Sequence, residues 1–149
     1  MSDFTPFEDR LTALIAALSP AGRRRLTTEI AKKVRQQQQQ RIKSQTAPDG
    51  TPYTPRKRQP VRGKKNRVKR EMFAKLRTNR YMKVSGDDSA AAVEFTGKVQ
   101  RIVRVHQSGL KDKPTRNSAA VLYPTRELLG FSDTDQQLVE RIIIDHLAG

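Results

Sequence analysis

Two histidines, a nearby serine, one arginine in a strand-to-helix connection and a dense run of cations are the side chains whose types could do chemistry here. His106 stands two places before Ser108 in His106-Gln107-Ser108-Gly109, and a His–Ser pair can make a nucleophile and its base. Two residues apart they need not face each other, and no orienting acid or oxyanion motif accompanies them. The default expectation for His106 is therefore packing or hydrogen bonding at the end of an element. His146 falls late in a helical pattern, where a structural histidine is expected, and no HExxH spacing exists. Asp133 and Asp135 read as helix-start residues. Arg126 lies between a strand and a capped helix, either facing solvent or fixing the turn by bonding carbonyls or a carboxylate with its planar fork. The phosphate-cradling patterns GxxxxGK-S/T and GxGxxG are absent, as is GxSxG. With no cysteine, disulfides, thiolate zinc sites, iron–sulfur clusters and cysteine nucleophiles are excluded together. Neither catalysis nor a cofactor or metal is expected.

The cations point elsewhere. The chain carries 30 Lys+Arg against 15 Asp+Glu in 149 residues, a formal charge of +15. Residues 41–80 hold fourteen Lys/Arg against Asp49 and Glu71, so +12 of that charge sits in about a quarter of the chain. The densest part is Arg56, Lys57, Arg58, Arg62, Lys64, Lys65, Arg67, Lys69 and Arg70. Such a field attracts phosphates, acidic protein surfaces or anionic lipid. Aromatics border the run (Tyr53, Phe73, Tyr81) without interleaving it, so base stacking is not signalled. A nonspecific nucleic-acid-binding protein is one reading, with steep salt dependence through phosphate contacts. No helix-turn-helix, ribbon or zinc-knuckle pattern supports sequence-specific reading.

The elements that must position these residues follow from the apolar pattern. Phe4, Phe7, Leu11, Leu14 and Leu18 recur at helical spacing and predict an amphipathic helix over 4–18, widened by Ile15. Ser19-Pro20 starts a second helix, carried by Leu26, Ile30, Val34 and Ile42 through the Gln run at 36–40 to about Ser44. Residues 1–44 thus form a helical hairpin. Turn chemistry in Ala47-Pro48-Asp49-Gly50-Thr51-Pro52, then Pro55, Pro60 and Gly63, predicts a long mobile basic arm over 45–67. Val68, Met72, Phe73 and Leu76 fit a short third helix over 68–78. Residues 81–84 and 91–95 read as a hairpin around Ser85–Asp88, and 99–106 as strand or short helix stopped at Gly109. A polar connection at 111–118 leads to a strand at 121–123, ended by Pro124. Leu138, Val139, Ile142, Ile143 and Leu147 form the apolar face of a C-terminal helix. The class is α+β, in one domain whose residues 68–149 form the α+β core. No apolar run approaches the roughly 18–20 residues that span a bilayer. Asp3, Glu8 and Asp9 are unlike the basic start of a secretory signal.

Three stretches resemble a known family. Ala47-Pro48-Asp49-Gly50-Thr51-Pro52-Tyr53 is similar to its P-D-G-x-P-W/Y segment after a long helix. Arg101 to Gly109 resembles R-I-x-x-x-H-x-x-G, and Tyr123 to Ser132 resembles Y-P-x-R-x-L-L-G-x-S/T before the final helix. The family is the tail completion protein S, or virion morphogenesis, family of contractile-tailed temperate bacteriophages, Peduovirus-like and Mu-like. The resemblance implies a non-enzymatic assembly factor, located in the virion tail or neck and in the host cytoplasm during assembly. Such a factor would make tails competent to join filled heads. By analogy with other neck proteins it implies a homo-oligomeric ring, commonly sixfold, meeting tail tube, terminator or connector proteins and, nonspecifically, packaged DNA, with no membrane or small-molecule substrate. Candidate subunit or partner contacts are Phe4, Phe7, Leu11, Pro48, Asp49, Gly50, Pro52, Tyr53, His106, Gly109 and Arg126. Candidate polyanion or acidic-surface contacts are the nine cations of residues 56–70 named above.

Overall fold

A computed structural model describes residues 5–56 and 71–148, with the side chains of 5–7 excepted. Its elements are α1 (Thr5–Ala16), α2 (Pro20–Lys43), β1 (Met82–Gly86), β2 (Ala91–Phe95), α3 (Gln100–Ser108), β3 (Lys111–Asp112), β4 (Val121–Leu122) and α4 (Asp133–Ala148). The fold is α+β, with helices first and last. It divides into two compact units, one of residues 1–37, 83–94 and 131–149, the other of 38–82 and 95–130.

The first unit is a helical assembly with a strand turn. α1 ends at Ala16, two residues short of the expected Leu18, and Ser19 caps the start of α2 as the sequence suggests, its Oγ accepting from the Gly22 N–H at 3.0 Å. Leu11, Leu26, Ile142 and Ile143 form the buried core, flanked by Ile15, Leu18, Ile30, Leu138, Val139 and Leu147. Every residue of the expected apolar face of α4 is therefore used. Leu14 is not, and remains 45% exposed. The start of α4 is closed reciprocally: the Ser132 N–H donates to Asp135 Oδ2 at 3.0 Å, and the Asp135 N–H donates to Ser132 Oγ at 3.2 Å. The turn between β1 and β2 is held by Asp87, whose Oδ1 accepts from the Ser89 and Ala90 N–H groups, each at 2.7 Å.

The second unit carries Ile42, Met82, Phe95, Val103, Val105 and Leu128 in its interior. Here the structure departs from the sequence reading at 71–80, after Gly109 and at 45–56, and it resolves the stretch left open at 99–106 as helix. Residues 71–80 form successive turns instead of the third helix, because Phe73 takes a left-handed φ of 65° that no helix accommodates. Residues 68–70 of that expected helix lie outside the described residues. The ambiguous stretch at 99–106 belongs to α3, which ends at Gly109 in the left-handed conformation (φ 65°, ψ 56°) with its N–H on the Val105 carbonyl. The polar connection after it contains β3, which pairs antiparallel with β4 in the register Lys111↔Leu122 and Asp112↔Val121. In place of one small sheet there are two of two strands each, β1–β2 and β3–β4. Finally, the stretch 45–56, expected to open a mobile arm, is anchored at two points: Thr46 bridges Pro52 and Tyr53 is buried, while 49–52 and 54–56 are exposed. Composition had argued against burial here, but a single tyrosine with a satisfied hydroxyl supplies the anchor.

Candidate interaction site

The three segments that carry the resemblance meet within the second unit. At the first, Asp49 Oδ1 accepts from the Thr51 N–H at 2.9 Å, and Gly50 takes φ 89°. Those hydrogen bonds from Thr51 hold the Asp49 carboxyl below its ordinary pKa. The turn delivers Tyr53 inward, where its hydroxyl donates to the Glu127 carbonyl at 2.7 Å. Burial pushes the Tyr53 phenol up to about 12, so it stays a donor at any physiological pH.

Arg126 ties all three segments. It is 5% exposed, its Nε donates to the Thr54 carbonyl at 2.8 Å and its Nη2 to the Pro55 carbonyl at 3.3 Å. Nη1 lies 3.5 Å from His106 Nδ1, and the Arg126 N–H donates to the His106 carbonyl at 2.7 Å. Of the two roles open to it in sequence, Arg126 has the turn-fixing one, with carbonyls and not a carboxylate as partners. Gly109 permits the approach of the third segment: a Cβ there would stand 2.5 Å from Thr125 Oγ1 and 3.1 Å from the Thr125 nitrogen.

His106 is fixed by rings. Tyr53, Phe73, His106 and Tyr123 form an edge-to-face series with centroid separations of 5.7, 4.8 and 5.0 Å. Ser108 is exposed, and its place two residues along α3 directs it away from the His106 side of the helix. Desolvation, aided by the guanidiniums of Arg126 and Arg56, lowers the His106 pKa below its ordinary 6.5. The fold thus favours neutral His106, and the unfolded chain binds the proton more readily. Stability from this group is complete above the unfolded pKa and is lost as pH falls below about 6.5. Urea unfolding between pH 7 and 5 should show a decline that is shallower in His106→Gln; equal slopes in the two proteins would refute the assignment.

Glutamines complete the cluster, and their sequence context gave no sign of it. Gln107 Oε1 accepts from the Leu128 and Leu129 N–H groups at 2.8 and 3.0 Å, while its Nε2 donates to the Leu129 carbonyl at 2.7 Å. Gln38, from the low-complexity run, is 3% exposed, and its Nε2 donates to the Gly130 carbonyl at 2.6 Å. Arg41 Nη2 reaches the same carbonyl at 3.1 Å. Gln45 bonds both the N–H and the carbonyl of Met72, at 3.1 and 2.9 Å, setting the turn that presents Phe73.

These contacts join segments spread along the chain, and similarity to known proteins extends just as far. The model of the phage virion morphogenesis family matches residues 2–148. The chain belongs to that family. It is also 51% identical, over 148 residues and 99% of both chains, to Tail completion protein S of Escherichia phage P2. No solved structure matches it. In this virion morphogenesis protein, Pro48, Asp49, Gly50, Pro52, Tyr53, His106, Gly109 and Arg126 all fall in the second unit. Leu11 falls in the first, where it is packed into the core, so that part of the α1 stripe faces this chain's own interior. Phe4, the Phe7 side chain and the cations Lys57, Arg58, Arg62, Lys64, Lys65, Arg67, Lys69 and Arg70 lie outside the described residues. Arg56 is described, and is exposed. Among the described residues there is no cluster of metal-ligating side chains, and no helix is long and apolar enough to cross a membrane.

Proposed function

We propose that this chain is a structural, non-enzymatic morphogenesis protein that completes the phage tail and makes it competent for head–tail joining. The observation that carries the reading is end-to-end identity of 51% with a protein named for tail completion. The geometry agrees in kind. Arg126 and Tyr53 direct their polar atoms into the chain's own backbone and His106 Nδ1 faces the Arg126 guanidinium, which suits a scaffold holding a surface in shape. We further place it as a ring-forming subunit at the head-proximal end of the tail, in contact with tail tube, terminator or connector proteins, with the basic 56–70 segment meeting acidic protein or packaged DNA.

Infection with phage lacking this gene should yield filled heads and unjoined tails, with joined particles restored by supplying the protein in trans. Fully joined particles in its absence, counted by electron microscopy, would end the reading. The ring is tested separately, by light scattering after size exclusion at low and high salt. A discrete oligomer surviving high salt supports it, and a monomer at both salts in the presence of purified tails removes it.

A further inference from the structure

Beside the pinned cluster, and wholly within the second unit, lies an open groove of about 670 Å³. Phe73, His106 and Tyr123 line it together with Ile102, Val121 and Leu122. Two of these are conspicuously uncovered: Leu122 is 65% exposed and Ile102 is 50% exposed. Exposed apolar side chains grouped around a concavity mark a place where something docks. The rim is cationic, with Arg56 and Lys75 exposed and one carboxylate, Glu71, among the lining residues. The surrounding unit is cationic too. Its described residues hold thirteen Lys/Arg against four Asp/Glu, a balance of +9, whereas the other unit's hold nine against ten.

We propose that this groove docks an acidic protein segment that inserts a bulky apolar side chain between Ile102, Leu122 and the aromatic floor. The charge balance selects an acidic occupant. The floor selects a protein over a nucleic acid. Arg126 is already committed to the Thr54 and Pro55 carbonyls, leaving two exposed rim cations, and a phosphate backbone laid across Phe73, Ile102 and Leu122 would lose water without gaining donors. An apolar side chain entering the same space removes Leu122 and Ile102 from water, and flanking carboxylates stay at the wet rim beside Arg56 and Lys75. The proposal rests on the assembly reading only for the origin of that segment in another component of the particle.

The test is selection from a displayed library of random dodecapeptides against the immobilised full-length protein. A selected peptide is then labelled and titrated by fluorescence anisotropy. Enriched peptides should combine several Asp/Glu with a Phe, Trp or Leu. Leu122→Asp and Ile102→Asp should each weaken binding about tenfold or more, as loss of an interface anchor does, with the thermal transition by circular dichroism unchanged because both side chains are exposed. Lys75→Glu should weaken it as well. No enrichment, enrichment without acids, or unaltered binding by Leu122→Asp would overturn the proposal. So would a duplex oligonucleotide that displaces the peptide and is itself weakened by Leu122→Asp. Peptide binding that persists when phage lacking the gene still join normally would support the groove and remove only the assembly origin of its occupant.

Discussion

Arg126→Ala should destabilise the protein by about 3 kcal/mol, the scale of losing hydrogen bonds to a charged donor and stranding their acceptors. Arg126 is 5% exposed and its guanidinium donates to two backbone carbonyls, Thr54 and Pro55, bonds that are lost when the side chain ends at Cβ. The aliphatic stem is lost with it, opening a void beside His106. Arg126→Lys should recover only part, because one ammonium cannot reproduce the fork that reaches both carbonyls. Urea denaturation followed by far-ultraviolet circular dichroism measures this directly. A lysine variant as stable as the native protein would show that charge alone, and not the fork, holds the turn. Burial and the nearby Arg56 guanidinium both lower the Arg126 pKa. The guanidinium stays charged all the same because its intrinsic basicity is so high, and its carbonyl partners satisfy the buried N–H groups.

The second large effect is expected at Gly130. A Cβ there would stand 2.3 Å from Pro48 Cγ and 2.8 Å from Pro48 Cβ. A proline ring cannot rotate aside, and the Gly130 carbonyl is held by Gln38 and Arg41, so neither partner retreats cheaply. Gly130→Ala should cost about 2–3 kcal/mol, the range of overpacking in a close-packed site. Gly97→Ala is the control, since nothing lies within 4 Å of a Cβ at that position. Combining Pro48→Ala with Gly130→Ala removes the closest contact, so the pair should be less harmful than the sum of the singles. Strict additivity would show that the two residues do not press on each other.

How legible the site was depends on which residue is asked about. Helix boundaries with a local cause were readable: Ser19-Pro20, the Ser132–Asp135 cap and Gly109 each act within one turn. The α4 face was readable because its spacing repeats. Arg126 and His106 stood out through motif context, and their partners did not, since Thr54 and Pro55 are called on only for their carbonyls, which every residue has. Gln38 was hidden in a run of five glutamines where pattern cannot distinguish the buried member. The missed turn at 71–80 has the same origin: Phe73 fits a helical apolar pattern, but its ring settles between Tyr53 and His106, and that tertiary contact overrides local preference. The two-residue strand β3 is too short to leave an alternation at all.

The aromatic series has a consequence for the order in which the molecule is made. Its rings come from residues 53, 73, 106 and 123, and the bonds that close it run from Arg126 to Thr54 and from Tyr53 to Glu127, spanning 72 and 74 residues. Contacts of such separation form late, after the intervening chain has been gathered in. During synthesis the segment at 48–55 has emerged long before its clasp at 126–130 exists. A nascent or prematurely ended chain can coil its first helices yet cannot close this cluster. The clasp thus ties completion of the second unit to near-completion of translation.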